Sequence, residues 1–172
     1  MHQTKKGNQW FFGLKGHIGA DASSGLVHSV HATAANESDV AHAHQLLHGQ
    51  ELHVFADGGY TGVEKRPEIK AAKEAGAIRS DVNWLVAAKR RQLKAMPEGT
   101  LKTLAQALEK TKAQIRAHIE HPFHVVKNIF KYKKARYKGL AKNAAQLKTL
   151  FGLANLVRAK RSLMKMQGVG AS

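Results

Sequence analysis

The segment that most narrows the choice of fold is Leu52-His53-Val54-Phe55-Ala56-Asp57-Gly58-Gly59-Tyr60-Thr61-Gly62. An apolar, strand-like run ends in a single carboxylate and breaks at once into glycines, and a helical stretch follows from about Val63 to Ala75. Strand, acid, glycine turn and helix form the unit by which an α/β fold presents a carboxylate at the carboxyl end of a strand. An Asp that merely caps its turn would look similar, but the placement favours a functional role for Asp57.

The flanking sequence supplies more strands and helices. Trp10, Phe12, Leu14 and Ile18 alternate with Phe11, Gly13, Lys15, His17 and Gly19, the period of a strand. Asp21-Ala22-Ser23-Ser24-Gly25 provides turn residues and Leu26 to His31 resumes the extended pattern, which predicts a β-hairpin with Asp21 as turn chemistry rather than an active-site acid. Asn36-Glu37-Ser38-Asp39 offers a cap and first-turn acids for a short helix over about Asp39 to His48. His44 and His48 on it are four apart, the spacing of a metal clasp, but no Cys or carboxylate accompanies them, so they are read as a solvated face. Asn83 to Ala88 reads as a further strand, followed by Lys89-Arg90-Arg91 and a loop at Met96 to Thr100. Leu101, Leu104, Leu108, Ile115 and Ile119 then carry a helical pattern, and Leu140, Leu147, Leu150, Phe151, Leu153, Leu156 and Val157 form a last helix, apolar on nearly every side and expected to be buried against the sheet. There is no internal repeat and no second domain, so residues 1–172 are read as one α/β domain.

A second carboxylate stands out by its isolation. After Glu120 no Asp or Glu occurs to Ser172, whereas Lys and Arg recur from Lys127 through Lys165. Arg116, Glu120, Phe123 and Lys127 step by four, three and four residues and share one helix face, beside an apolar stripe of Ile115, Ile119, Val126 and Ile129. Pro122 predicts a kink or restart there. An ordinary Arg–Glu helix pair accounts for the spacing as well as a functional site does.

Charge points to the partner. Twenty-eight Lys plus Arg against twelve Asp plus Glu leave a net charge of +16, which implies a polyanion. With 43% hydrophobic residues the charge decorates a folded body rather than a disordered tail. Lys131-Tyr132-Lys133-Lys134-Ala135-Arg136-Tyr137-Lys138-Gly139 interleaves aromatics with cations, a phosphate-contacting turn. The absence of Cys excludes disulfides and thiolate metal sites. No signal peptide or membrane-length apolar run is present, so a cytoplasmic protein without membrane attachment is expected.

At Ala56-Asp57-Gly58-Gly59-Tyr60, Ile119-Glu120-His121-Pro122-Phe123 and Arg136-Tyr137-Lys138-Gly139-Leu140-Ala141-Lys142-Asn143 the sequence resembles the DDE-type transposases of bacterial insertion sequences, closest to the insertion sequence five group. Gly7 to Gly13 and Thr33 to Asn36 extend the likeness over essentially the whole chain. The resemblance implies a ribonuclease-H-like mixed sheet with flanking helices, on which two Asp and one Glu hold Mg²⁺ or Mn²⁺ for cleavage and transfer of DNA strands. Asp57 then matches the second acid and Glu120 the third, as catalytic and metal-binding residues, and Arg116 and Lys127 match the Arg and Lys around the Glu. Ala113 stands where the family often has Tyr. The family's first Asp lies on a strand ahead of the hairpin, so the resemblance implies a chain truncated at its amino end and lacking that first strand.

These readings set the expectations. DNA, both transposon ends and target, is the partner, contacted by Arg116, Lys127, Lys131, Lys133, Lys134, Arg136 and Lys138. A homodimer or a complex with full-length transposase is a family expectation. The rival readings are a catalytically inactive basic remnant that binds DNA or inhibits the full transposase, and a structural nucleic-acid binder of ribosomal type, which explains the charge but not Asp57 and Glu120.

Overall fold

The computed structural model describes the backbone of residues 2–166 and most of their side chains. The side chains of Phe11 and Phe12 in the expected alternation, and of Lys165 in the cation run, lie outside the described set. The chain forms two compact units, one joining the residues up to Glu37 to those from Ile119 onward, the other spanning Ser38–His118.

The first unit is built on a three-stranded antiparallel sheet, β1 (His2–Lys6), β2 (Gln9–Ala20) and β3 (Val27–Ala34). The predicted hairpin is β2–β3; β1, with no apolar alternation to announce it, pairs through Lys5↔Trp10 and Gln3↔Phe12. The hairpin turn forms as its residues dictate: the Asp21 carboxylate accepts from the backbone N–H groups of Ser23 and Ser24 and from both hydroxyls. Led by the Ser24 N–H, these bonds hold its carboxyl far below the usual range. Gly25 adopts φ +67° and leaves room for the Arg158 guanidinium, which a Cβ there would meet at 2.6 Å.

Helix α4 (Leu140–Met166) lies along β3 and touches β2. Leu14, Gly16 and Ile18 share the face toward it, and a Cβ on Gly16 would sit 3.3 Å from Leu147. Phe151 is 1% exposed and packs edge-on against Phe123, with ring centroids 5.3 Å apart. Asn155 imitates a strand partner: its Nδ2 donates to the Val27 carbonyl at 2.7 Å and its Oδ1 accepts the Val27 N–H at 2.8 Å. On the opposite sheet face His17 and Thr33 are buried and bonded to each other at 2.8 Å.

The expectation that α4 is buried all round is corrected. Leu147, Phe151 and Ala154 are buried, but Leu140, Leu153, Leu156 and Val157 are exposed, because the sheet is narrow and covers only one side of the helix. Trp10 likewise stands exposed.

The second unit holds the expected strand–helix–strand. β4 (His53–Ala56) and β5 (Asn83–Val86) pair in parallel from His53↔Asn83 to Ala56↔Val86, joined by a crossover containing α1 (Pro67–Glu74). Val63, Ile69 and Trp84 are buried in its core. The helix foreseen at Asp39 is a 3₁₀ helix, Asp39–Leu46, and Ser38 at its amino end makes no side-chain cap bond; a short uncapped segment has little to gain from α-helical bonding. The strands thus form an antiparallel and a parallel sheet, where the resemblance implied one mixed sheet.

After α2 (Arg90–Ala95), which the basic run did not announce, α3 (Thr100–His124) crosses from the second unit into the first. It continues through the buried Pro122 without the expected restart; the departure comes at Val125–Ile129, where the bonding widens to a π segment with the Phe130 N–H donating to Val125. Leu101, Leu104 and Leu108 form the predicted helical stripe and are exposed. What ties α3 to its unit is polar. The buried Lys112 ammonium donates to Glu109 at 2.7 Å and to the Val86 carbonyl at 3.1 Å, while Glu109 accepts the Ala88 N–H at 3.0 Å.

Because Phe151 joins helix, sheet and the Phe123 ring, Phe151→Ala should lower the unfolding free energy by about 3–5 kcal/mol in denaturant titration. A loss below about 1 kcal/mol would show that α4 is not anchored there.

Candidate functional site

Asp57 directly follows β4. Pairing runs one step past the strand, the Ala87 N–H donating to Ala56 at 3.0 Å, so Asp57 leaves the sheet from a fixed point. Its carboxylate accepts the Gly59 N–H at 2.8 Å and caps a one-turn 3₁₀ helix, Gly58–Tyr60. A Cβ at Gly59 would lie 2.9 Å from that same oxygen, the close approach the second glycine permits. The side chain is otherwise exposed, so the capping role expected of an Asp here is real and leaves a carboxylate oxygen open to solvent. Beside it, burial and then the charges of Asp39 and Asp57 push the Tyr60 hydroxyl up to about 12.

Glu120 is exposed on α3, and its carboxylate makes no hydrogen bond or ion pair among the described residues. It is turned outward by its neighbours: Val125 and Val126 are buried, and Ile119 and Phe123 pack on the same core. Lys127 places its ammonium 5.4 Å from the Phe123 ring, as the four-residue step predicts. Arg116 is half-buried, its Nε without a hydrogen-bond partner, and its charge bears on Glu109. Burial raises the Glu109 carboxyl; Lys112, the Ala88 N–H and Arg116 outweigh it and hold the group below the usual range. Asp57 and Arg116 belong to the second unit, and Glu120 with Lys127, Lys131, Lys133, Lys134, Arg136 and Lys138 to the first.

Those last five cations do come together, on the irregular segment between the π turn and α4, and all are exposed. The segment is held from beneath. Asn143 is fully buried; its Nδ2 donates to the Tyr137 and Gly139 carbonyls at 2.7 and 2.6 Å, and its Oδ1 accepts the Tyr137 N–H at 3.3 Å. Tyr132 packs its ring on the hydrophobic core while Lys131 takes φ +58°; Tyr137, the other aromatic of the run, is exposed with the cations. Sequence reasoning gave Asn143 no role. A buried amide among Leu140, Leu147 and Phe151 was the available signal.

His44 and His48 are not a clasp on one face, since the 3₁₀ helix advances three residues per turn and ends at Leu46. His48 instead lies 3.3 Å from the Glu51 carboxylate, which also accepts the backbone N–H groups of His48 and Gly49. Among the described residues no helix is long and apolar enough to cross a membrane.

A family model described as a transposase DDE domain matches residues 1–156. No solved structure matches the chain significantly.

Removing the amide that pins the cationic segment costs roughly 1–3 kcal/mol locally, enough to multiply opening about tenfold. Asn143→Ala should therefore speed trypsin cleavage after Lys131, Lys133, Lys134, Arg136 and Lys138 by about that factor. An unchanged rate would mean that the segment is held by something else.

Proposed function

The chain belongs to the transposase DDE domain family, and from that premise we propose that it carries out metal-dependent cleavage and transfer of DNA strands in transposition of the insertion sequence five type. Asp57 and Glu120 are the metal-binding carboxylates in this reading, on the ribonuclease-H-like α/β fold that the resemblance implies. The observation that carries it is the position of Asp57. It is an exposed carboxylate at the carboxyl end of a parallel strand, with one hydrogen bond to the Gly59 N–H and an oxygen to spare.

The donor set fits the group the family implies. Asp57 and Glu120 are exposed oxygen donors uncommitted to any cation, which suits hard Mg²⁺ or Mn²⁺. When bound, such ions supply an activated water and stabilise charge on the leaving oxygen. The protein's own work is to hold the two carboxylates ready, on a strand end and on a helix that packing keeps from turning. The cations of residues 131–138 hold DNA through its phosphates, sequence-independently, with Arg116 offering a planar fork and Lys127 a point charge. Homodimerisation belongs to the same reading.

The test is excision of the element from a plasmid carrying the gene in its own flanking DNA. Second-sphere metal-site changes alone typically cost about 10–100-fold in metal affinity or activity. Asp57→Asn and Glu120→Gln, which remove donors outright, should each lower excision at least about a hundredfold, whereas Asp21→Asn, confined to its turn, should not. Excision unaffected by Asp57→Asn would overturn the assignment. DNA binding without any excision by the unaltered chain would favour the non-cleaving reading.

A further inference from the structure

The strands β1 and β2 form a ribbon that the function above does not use. Its register puts Gln3 and Lys5 on the same face as Trp10, with Lys5 directly opposite the indole. Trp10 is 66% exposed, and the Lys5 ammonium stands 5.9 Å from its ring centroid. Gln3, on that face, is exposed as well. An indole left in water forgoes one of the largest hydrophobic gains a side chain offers. Trp84, in contrast, is buried in the core of the second unit.

The setting of Trp10 says what covers it. No Asp or Glu occurs before Asp21, so the ribbon is cationic without internal compensation. A protein-docking aromatic is normally ringed by side chains that exclude water. Here the described side chains on the same face of the ribbon are the Lys5 ammonium and the Gln3 amide, both exposed. A flat exposed ring next to a cation and a hydrogen-bonding amide is the combination by which single-stranded nucleic acid is held: base on ring, phosphate on ammonium.

We propose that the β1–β2 ribbon is a contact for unpaired DNA, in which the Trp10 indole stacks on an exposed base and the Lys5 ammonium takes an adjoining phosphate. It rests on the reading that the chain acts on DNA, and it uses residues that the reading of the two carboxylates and the cationic segment leaves unassigned.

The test titrates the full chain with a single-stranded oligonucleotide and with a blunt hairpin duplex of the same composition, following tryptophan emission and affinity. Stacking is worth about 1–3 kcal/mol per base, so Trp10→Ala should weaken single-strand binding about tenfold and duplex binding less than about twofold. Trp10→Phe, which keeps a ring, should recover part of the loss. Single-strand binding should quench the emission of the unaltered chain, and that quenching should vanish in Trp10→Phe, since Trp84 is buried. Binding to both DNAs with no effect of Trp10→Ala would overturn the inference and leave the DNA reading standing. Equal weakening on both DNAs would also overturn it, because stacking needs an unpaired base. Binding to neither DNA would defeat the underlying reading and this inference with it. Loss of self-association in Trp10→Ala at unchanged DNA affinity would assign the ribbon to protein contact instead.

Discussion

The packing of α4 on the β2–β3 hairpin is the constraint on which most of the first unit rests. Phe151 supplies the apolar anchor, and the flanking polar residues of the same helix convert it into a fixed geometry. Asn155 borrows the backbone bonds of Val27, Arg158 donates to the Ser24 carbonyl of the hairpin turn, and Asn143 holds the cationic segment at the other end. One helix thereby fixes a hairpin and a row of cations. The Phe123 ring, packed on Phe151, extends the same anchor to the stretch of α3 from which Glu120 projects.

A net charge of +16 makes this arrangement demanding. Cations cannot enter the core unpaired, and the fold respects that. Lys112 is the buried ammonium among the described residues, and it is met by the Glu109 carboxylate and the Val86 carbonyl. The other described cations are exposed or half-buried, and those after Glu120 have no acid of their own segment to neutralise them. Repulsion among them is the cost of a surface suited to a polyanion. Asp57 and Glu120 are conspicuous by contrast: neither is committed to a salt bridge, unlike Glu109, Glu68 or Asp81.

What could be read from the sequence was what local chemistry decides. The Asp21–Gly25 turn, the β2–β3 hairpin, the β4–Asp57–glycine unit and both long helices follow from alternation, turn residues and helical spacing. Burial was less legible. Leu101, Leu104 and Leu108, and Leu153 with Leu156, have the spacing of core residues but face water, because periodicity says which residues share a face and not whether anything covers it. The ribbon strand β1 is short and polar, and it exists through pairing with β2, a non-local fact. Pro122 sits inside a helix, where burial of its ring offsets the hydrogen bond it cannot make. At the candidate site the two acids and the cationic row were legible as residue types. The Asn143 pin, the Tyr60 neighbour of Asp57 and the Glu109–Lys112 tie were not, since each depends on side chains brought together by the fold.

The proposed metal-binding role of Asp57 and of Glu120 is tested most directly by metal-directed cleavage of the chain. Fe²⁺ supplied in place of Mg²⁺, with ascorbate and peroxide, generates radicals that cut the backbone beside the groups that bind it. The account predicts scission at Asp57 and at Glu120, suppressed by excess Mg²⁺ and lost at the altered position in Asp57→Asn and Glu120→Gln. Mg²⁺-suppressible scission elsewhere, for example beside His48 and Glu51, with neither carboxylate cut, would contradict it.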